Sequence, residues 1–266
     1  MNAFEFDNVN QMYEYMVRLL LKQKSDHGTK ELTNVFLTIN DVSEHIITKR
    51  DISLSYLCGE LLWYFSGSND TEFISKFAKK WLEISDDGST SNSAYGYILG
   101  EKHGFNQLQK IFELLKKDKH SRRAVINFNV PNANVIETKD EICTIAVQFI
   151  VRNNKLHCTT MMRSNDIYTG MPYDIAFFVS LQKIMAFNLG VECGKYNHFV
   201  TSLHLYERTE EKIKSALDKK SPKIKFDTLN LMKLGVDDYD CIMNSKSPKD
   251  DVINIFTKLK ILEVET

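Results

Sequence analysis

Five stretches of this chain hold residues whose chemistry could go beyond packing. Glu60 lies in LCGELLWYF, flanked by leucine and aromatic side chains. A carboxyl group desolvated there has a raised pKa and can move protons near neutrality. The plain alternative is a carboxylate reaching solvent at a helix edge. Cys143, in EICTIAVQF, alternates with Ile145, Val147 and Phe149 on one strand face, as a buried structural cysteine would. Arg163 follows one hairpin later, and positive charge near the strand end would lower the thiol pKa and make a nucleophile. The pair Arg122 and Arg123 in SRR is either a solvated turn or two guanidinium forks able to clamp phosphate. His204 and Tyr206 in HLY share a strand face, where they could hydrogen-bond a sugar or each other. In RSNDIYTGMPYD, residues 163–174, Pro172 stops what precedes it, and Asp174 either caps a helix beginning at Ile175 or faces a ligand.

The elements that must carry these residues follow from periodicity. Residues 8–24 place Met12, Met16, Leu19 and Leu20 at helical spacing, and HGTKELTN then breaks the pattern. VFLTI (35–39) reads as a strand, and SLSYLCGELLWYFSG (53–67) as an apolar helix stopped by Gly67. Residues 85–96 are turn-rich; 105–118 are helical; 122–130 form a strand. AVQFIVRNNKLHCTTMMR gives two strands joined at NN, with Arg163 near the end of the second. A helix over 175–189, a strand over 196–206 and a charged helix over 207–220 follow. Beyond Ser221, SPKIKFDTLN holds a strand and DDYDCIMNSKSPKDD reads as loop. With no repeat or linker, one α+β domain over 1–266 is the economical expectation.

Composition narrows the function classes. The 34 Lys+Arg against 35 Asp+Glu leave a net charge of −1, so no global field draws the chain to nucleic acid or to an anionic membrane. An anionic ligand would need a local basic site. The start, MNAFEFDNVNQMYEYM, has no basic stretch followed by an apolar segment, and no run is long enough to cross a bilayer, so a cytoplasmic protein is expected. Five cysteines, an odd number without CxxC spacing, suggest neither a disulfide framework nor a zinc site, and no metal is expected.

Taken in order, the stretches resemble the thymidylate synthase superfamily from about Gly59 to Tyr206. GELLWYFSG resembles the family's glutamate-bearing helix, and W-x13-YG, from Trp81 to Tyr95 and Gly96, resembles its folate-side tryptophan and the tyrosine near the nucleophile. SRR resembles the arginine pair that one subunit lends to its partner's phosphate site. ICTIAVQF contains the nucleophile's position, MRSND resembles the phosphate ligands (Arg163, Ser164) followed by the folate-holding aspartate (Asp166), and SLHLY ends at the sugar. The resemblance implies a mixed sheet flanked by helices, a homodimer with shared sites, nucleotide and folate as small-molecule partners, and 5,10-methylenetetrahydrofolate as one-carbon donor. It implies Cys143, Glu60 and Asp174 as catalytic residues, Arg122, Arg123, Arg163, Ser164, His204, Tyr206 and Tyr95 at the substrate, and Trp81, Asp166 and Gly170 at the folate.

Departures from the synthase pattern point to one branch. Thr144 follows the cysteine where synthases for dUMP place histidine, which resembles the cytidylate hydroxymethylase branch, as does the SNxYG-like and MRSND wording; Asp174 stands where the synthases read the base with asparagine. Uracil offers N3–H as donor and O4 as acceptor, which an amide matches, whereas cytosine's amino group donates and suits a carboxylate. The expected reaction is 5-hydroxymethylation of CMP or dCMP; thymidylate synthesis, cytidylate 5-methylation and a non-catalytic relative are the alternatives. Two further departures bear on it. Where the family's first phosphate loop carries arginine, HGTKELTN offers Lys30 or His27, and the end LEVET is unlike the apolar tail that closes over substrate, which favours water.

Overall fold

The computed structural model describes residues 2–129, 137–219 and 221–265. In chain order the elements are β1 (Asn2–Phe6), α1 (Val9–Leu21), β2 (Thr29–Ile39), α2 (Leu54–Ser66), α3 (Thr71–Ser75), α4 (Lys80–Ile84), α5 (Tyr95–Gly100), α6 (Gln107–Lys117) and β3 (Val125–Asn127). They continue with β4 (Thr144–Arg152), β5 (Lys155–Asp166), α7 (Met171–Leu189), β6 (Glu192–Tyr206), α8 (Glu207–Leu217), β7 (Lys223–Phe226), a 3-10 turn (Thr228–Lys233), α9 (Val236–Met243), α10 (Pro248–Lys258) and β8 (Leu262–Glu265). Six strands form a mixed sheet in the order β1-β2-β6-β5-β4-β3, and β7 pairs with β8 separately. This is the α+β architecture expected, a mixed sheet with helices against it.

Two helices organise the interior. α7 and α2 are apolar on nearly every face, as helices enclosed by other elements must be, and together they bury Phe177, Phe178, Trp63 and Tyr64. α2 begins at the Ser53 cap and ends at Gly67, whose φ of 74° is the left-handed stop. α5 approaches α2 so closely that a Cβ on Gly96 would lie 1.7 Å from the Tyr64 carbonyl oxygen. Glycine is therefore required there, and the contact places the neighbouring Tyr95 ring on Tyr64, centroids 5.1 Å apart. The β4–β5 hairpin turns at Asn153 and Asn154, both at positive φ, as the NN turn predicts.

Four expectations change. β2 begins at Thr29, because the polar stretch pairs with β6 in the same register on both sides of Asn34, which stands at φ 53°, with Thr33 opposite Ser202 and Val35 opposite Val200. The strand expected over 122–130 is confined to Val125–Asn127, and Val130 lies outside the described residues, as does Lys220 at the end of the 207–220 segment. The segment read as loop, DDYDCIMNSKSPKDD, is mostly helix: Asp238 accepts from the Gly235 N–H at 2.9 Å to start α9, and Pro248 opens α10 with Asp250 and Asp251 in its first turn. Residues that look like breakers are helix starters there. α7 begins at Met171, not Ile175, with Pro172 in its first turn. Asp174 therefore lies within the helix, its own N–H donating to the Gly170 carbonyl, and the capping role is lost.

Candidate active site

Cys143 sits immediately before β4 on a loop held from both sides. On one side Arg163 of β5 donates Nε to the Ile142 carbonyl at 2.9 Å and Nη2 to the Glu141 carbonyl at 3.0 Å. On the other, the buried Asp140 carboxylate accepts from Ser91 Oγ at 2.6 Å and from the Ser93 N–H at 3.0 Å, anchoring the loop to the serine-rich turn. The thiol is half-buried. Its pKa is raised: burial dominates, Arg163 pulls down without winning, and Asp174, Asp140 and Glu141 add to the rise. The expected lowering by positive charge is thus absent, because Arg163 is opposed by desolvation and three carboxyl groups.

Glu60 is buried, so the solvent-edge alternative fails. Its helix supplies both neighbours at one-turn spacing: Tyr56 donates to Oε1 at 2.6 Å, and Tyr64 contacts the same oxygen at 3.4 Å. Burial first, then the Asp174 charge, push the carboxyl up to about 8. A group so placed holds a proton at neutrality and can exchange it. Trp81 of α4 joins through Tyr56, donating Nε1–H to that hydroxyl at 3.1 Å.

Asp174 is the centre of a polar chain. Tyr95 donates to Oδ1 at 3.1 Å while taking a hydrogen bond from Thr144 Oγ1 at 2.9 Å, and Asn165 donates Nδ2–H to Oδ2 at 2.8 Å. Behind Asn165, its Oδ1 lies 3.0 Å from Nε2 of the buried His198, whose Nδ1 lies 3.1 Å from the Tyr196 hydroxyl. Burial pushes His198 down to about 4, so the ring is neutral and Nε2–H donates to Asn165. Asp174 is itself raised to about 6 by burial, against the two donors. Two of its four acceptor positions are filled by the protein, leaving two for a ligand. Gly170 permits this packing, since a Cβ there would stand 3.2 Å from both Asn165 Nδ2 and Asp174 Oδ2.

The sheet aligns the remaining residues. β5 and β6 run parallel with Ser164 opposite Ser202 and Asp166 opposite His204. His204 and Tyr206 meet edge to face, centroids 4.9 Å apart. Arg122 and Arg123 are exposed ahead of β3, and among the described residues no ion pair involves either. Lys30 is spoken for by the Leu21 carbonyl and Glu210, 3.0 and 2.9 Å away, whereas His27 is exposed. Among the described residues no cluster of metal-ligating side chains occurs, and no helix is long and apolar enough to cross a membrane.

Sequence reasoning missed Tyr56, Tyr64, Asn165, His198 and Arg50. The tyrosines were detectable, since both stand four residues from Glu60 on one helical face. Arg50 packs on the Tyr168 and Tyr173 rings, 4.5 and 5.2 Å from their centroids, while its buried Nε and Nη1 have no hydrogen-bond partner among the described residues. No local pattern marks it.

Comparison with known proteins places this geometry in context. The family model described as thymidylate synthase matches residues 13–248. The chain is similar to a protein of Bacillus phage SP01 named deoxyuridylate hydroxymethyltransferase, 32% identical over 170 residues that cover 59% of this chain and 44% of that one. A protein of the same name from Pseudomonas phage M6 is 31% identical over 173 residues, 64% of this chain and 49% of its own. The chain spans about half the length of the curated relatives it matches.

Proposed function

Because the chain belongs to the thymidylate synthase family, we propose that it hydroxymethylates C5 of a cytidine 5′-monophosphate, CMP or dCMP, with residues 1–266 acting as one catalytic unit. The observation that carries this reading is the Asp174 carboxyl, packed against Tyr95 and Asn165 with acceptor positions left for a base. Its free lone pairs suit the cytosine amino group, and also N3 once that atom takes a proton. Cys143 is the proposed nucleophile. Addition of its thiolate to C6 breaks the ring's conjugation and places electron density on C5. The raised thiol of the half-buried Cys143 must first lose its proton, which passes to solvent water, before the thiolate can add. Glu60, holding a proton near neutrality, is the group for proton transfer at the base.

The folate residues proposed are Trp81, Asp166 and Gly170. The structure offers a test of fit: the Arg50 guanidinium, whose Nε and Nη1 have no hydrogen-bond partner among the described residues, stands on an aromatic wall, as a ligand with a ring system and a carboxylate tail requires. When bound, 5,10-methylenetetrahydrofolate supplies the one-carbon unit. Ser164 and Arg163 are assigned to phosphate, and His204 and Tyr206 to the sugar. Arg122 and Arg123, exposed and without ion-pair partners among the described residues, are assigned to the phosphate site of a second copy in a homodimer.

A second reading follows from the relatives named for deoxyuridylate. Asp174, with its pKa near 6, has a neutral form that offers one O–H donor and one acceptor, the complement of uracil O4 and N3–H. Product mass spectrometry on CMP, dCMP, UMP and dUMP with methylenetetrahydrofolate, while following dihydrofolate absorbance, separates the readings. The expected result is a cytidylate product heavier by a hydroxymethyl substitution, with no dihydrofolate. Conversion of dUMP alone, rising as pH falls through 6, supports the second reading. Stoichiometric dihydrofolate would place the protein with the methylating enzymes, and no product from any nucleotide would leave a binding relative.

A further inference from the structure

Tyr56 stands between two groups that the proposed function uses separately. Its hydroxyl donates to Glu60 Oε1 at 2.6 Å and accepts from the Trp81 indole N–H at 3.1 Å, while its ring meets Tyr173 edge to face at 4.7 Å. A phenol has one proton to give, so both bonds are satisfied only when it gives that proton to Glu60 and turns a lone pair to the indole. Serial hydrogen bonds of this kind polarise one another in a low-dielectric interior. The bond to Glu60 strengthens when the carboxyl is ionised, which makes the phenol oxygen a better acceptor for Trp81.

We propose that Tyr56 is a positioning residue that couples the orientation of the Trp81 ring to the protonation of Glu60, so the folate-side wall is held tightest when Glu60 is ready to accept a proton. The proposal rests on the assignment of Glu60 to proton transfer and Trp81 to folate. Every titratable group facing Glu60 enters the coupling: Tyr56 and Tyr64 from α2, and Asp174 and Tyr173 from α7. Tyr173 faces Tyr56 as well. Tyr64 cannot substitute for Tyr56, because its 3.4 Å contact is longer and it has no bond to Trp81. Two stages of the reaction are thereby linked through one hydroxyl.

Tyr56→Phe keeps the ring on Tyr173 and removes only the hydroxyl. Carboxyl carbon NMR, with the Glu60 signal assigned by its loss in Glu60→Gln, reads the titration without turnover. The expected result is a midpoint displaced to higher pH by about half a unit to one unit, since a donor that favours the ionised form is gone. Tryptophan emission should change with the Glu60 titration in the wild-type chain and not in Tyr56→Phe; Trp63, whose Nε1 has no hydrogen-bond partner among the described residues, is common to both. In kinetics, KM for the folate should rise about threefold to tenfold, the scale of one hydrogen bond, with KM for the nucleotide unchanged. Trp81→Phe added to Tyr56→Phe should then cost less than it does alone. An unmoved Glu60 midpoint, or additive effects of the two substitutions, overturns the coupling. Failure of the proposed function would appear differently, as absent product with the titration and emission effects intact.

Discussion

Cys143→Ala is expected to lower kcat by roughly 10⁴-fold or more while nucleotide binding stays measurable by calorimetry. The size of the loss follows from what else is present. Cys58 and Cys158 are fully buried, and neither neighbours Arg163 and Asp174 as Cys143 does. The loop itself should survive the change, since Arg163 and the Ser91 and Ser93 bonds grip its backbone and Asp140, not the sulfur. The same variant tests the shared site. Mixed with an Arg122→Ala/Arg123→Ala chain, it should regain activity through hybrid dimers, each carrying one intact site. Full retention of turnover by Cys143→Ala would end the covalent reading. No recovery despite demonstrated subunit exchange would confine each site to its own chain.

Asp174→Asn is expected to invert base preference, raising kcat/KM for the uridylate and lowering it for the cytidylate. The introduced amide can turn its carbonyl to Asn165 Nδ2 and its NH2 to the Tyr95 oxygen, and Tyr95 can then give its proton to Thr144. The remaining lone pair and N–H face the base as acceptor and donor, the complement of uracil. Each mismatched buried pair costs roughly 1–3 kcal/mol, so the ratio of preferences should move by at least about tenfold. Stability should hold, because the side chain caps nothing. Competition kinetics with both nucleotides at pH 7.5 reads the ratio. Above the Asp174 pKa of about 6 the wild-type carboxyl is ionised, so the contrast is greatest there and narrows as pH falls through 6 and the acid form appears. An unchanged ratio would sink the cytidylate assignment.

What the sequence made legible was whatever has a period or a fixed companion. α2 was readable from its cap, its apolar run and Gly67, and the β4–β5 hairpin from Asn153 and Asn154. The candidate residues came from ordered motifs, and the chain brings Glu60, Tyr95, Cys143, Arg163 and Asp174 within reach of one another's charges or hydrogen bonds. What stayed hidden depended on partners far along the chain. Asn165 gains meaning only from His198 and Asp174, and Arg50 only from the rings of Tyr168 and Tyr173. The direction of the Cys143 shift needed burial, which no local pattern measures. Helices α9 and α10 were lost because Asp and Pro serve both loops and helix starts.

The strand order also dictates how the chain must come together as it is made. β2 pairs on one side with β1, which precedes it, but on the other with β6, where Thr29 faces Tyr206 and Ile39 faces Tyr196. A nascent chain therefore carries β2 with an open edge through the synthesis of every residue up to the end of β6. Long-range closure of this kind is slow, and an open apolar edge is the species most exposed to aggregation. Since β6 carries His204 and Tyr206 and is the neighbour of β5, the sheet and the site are completed by one late event.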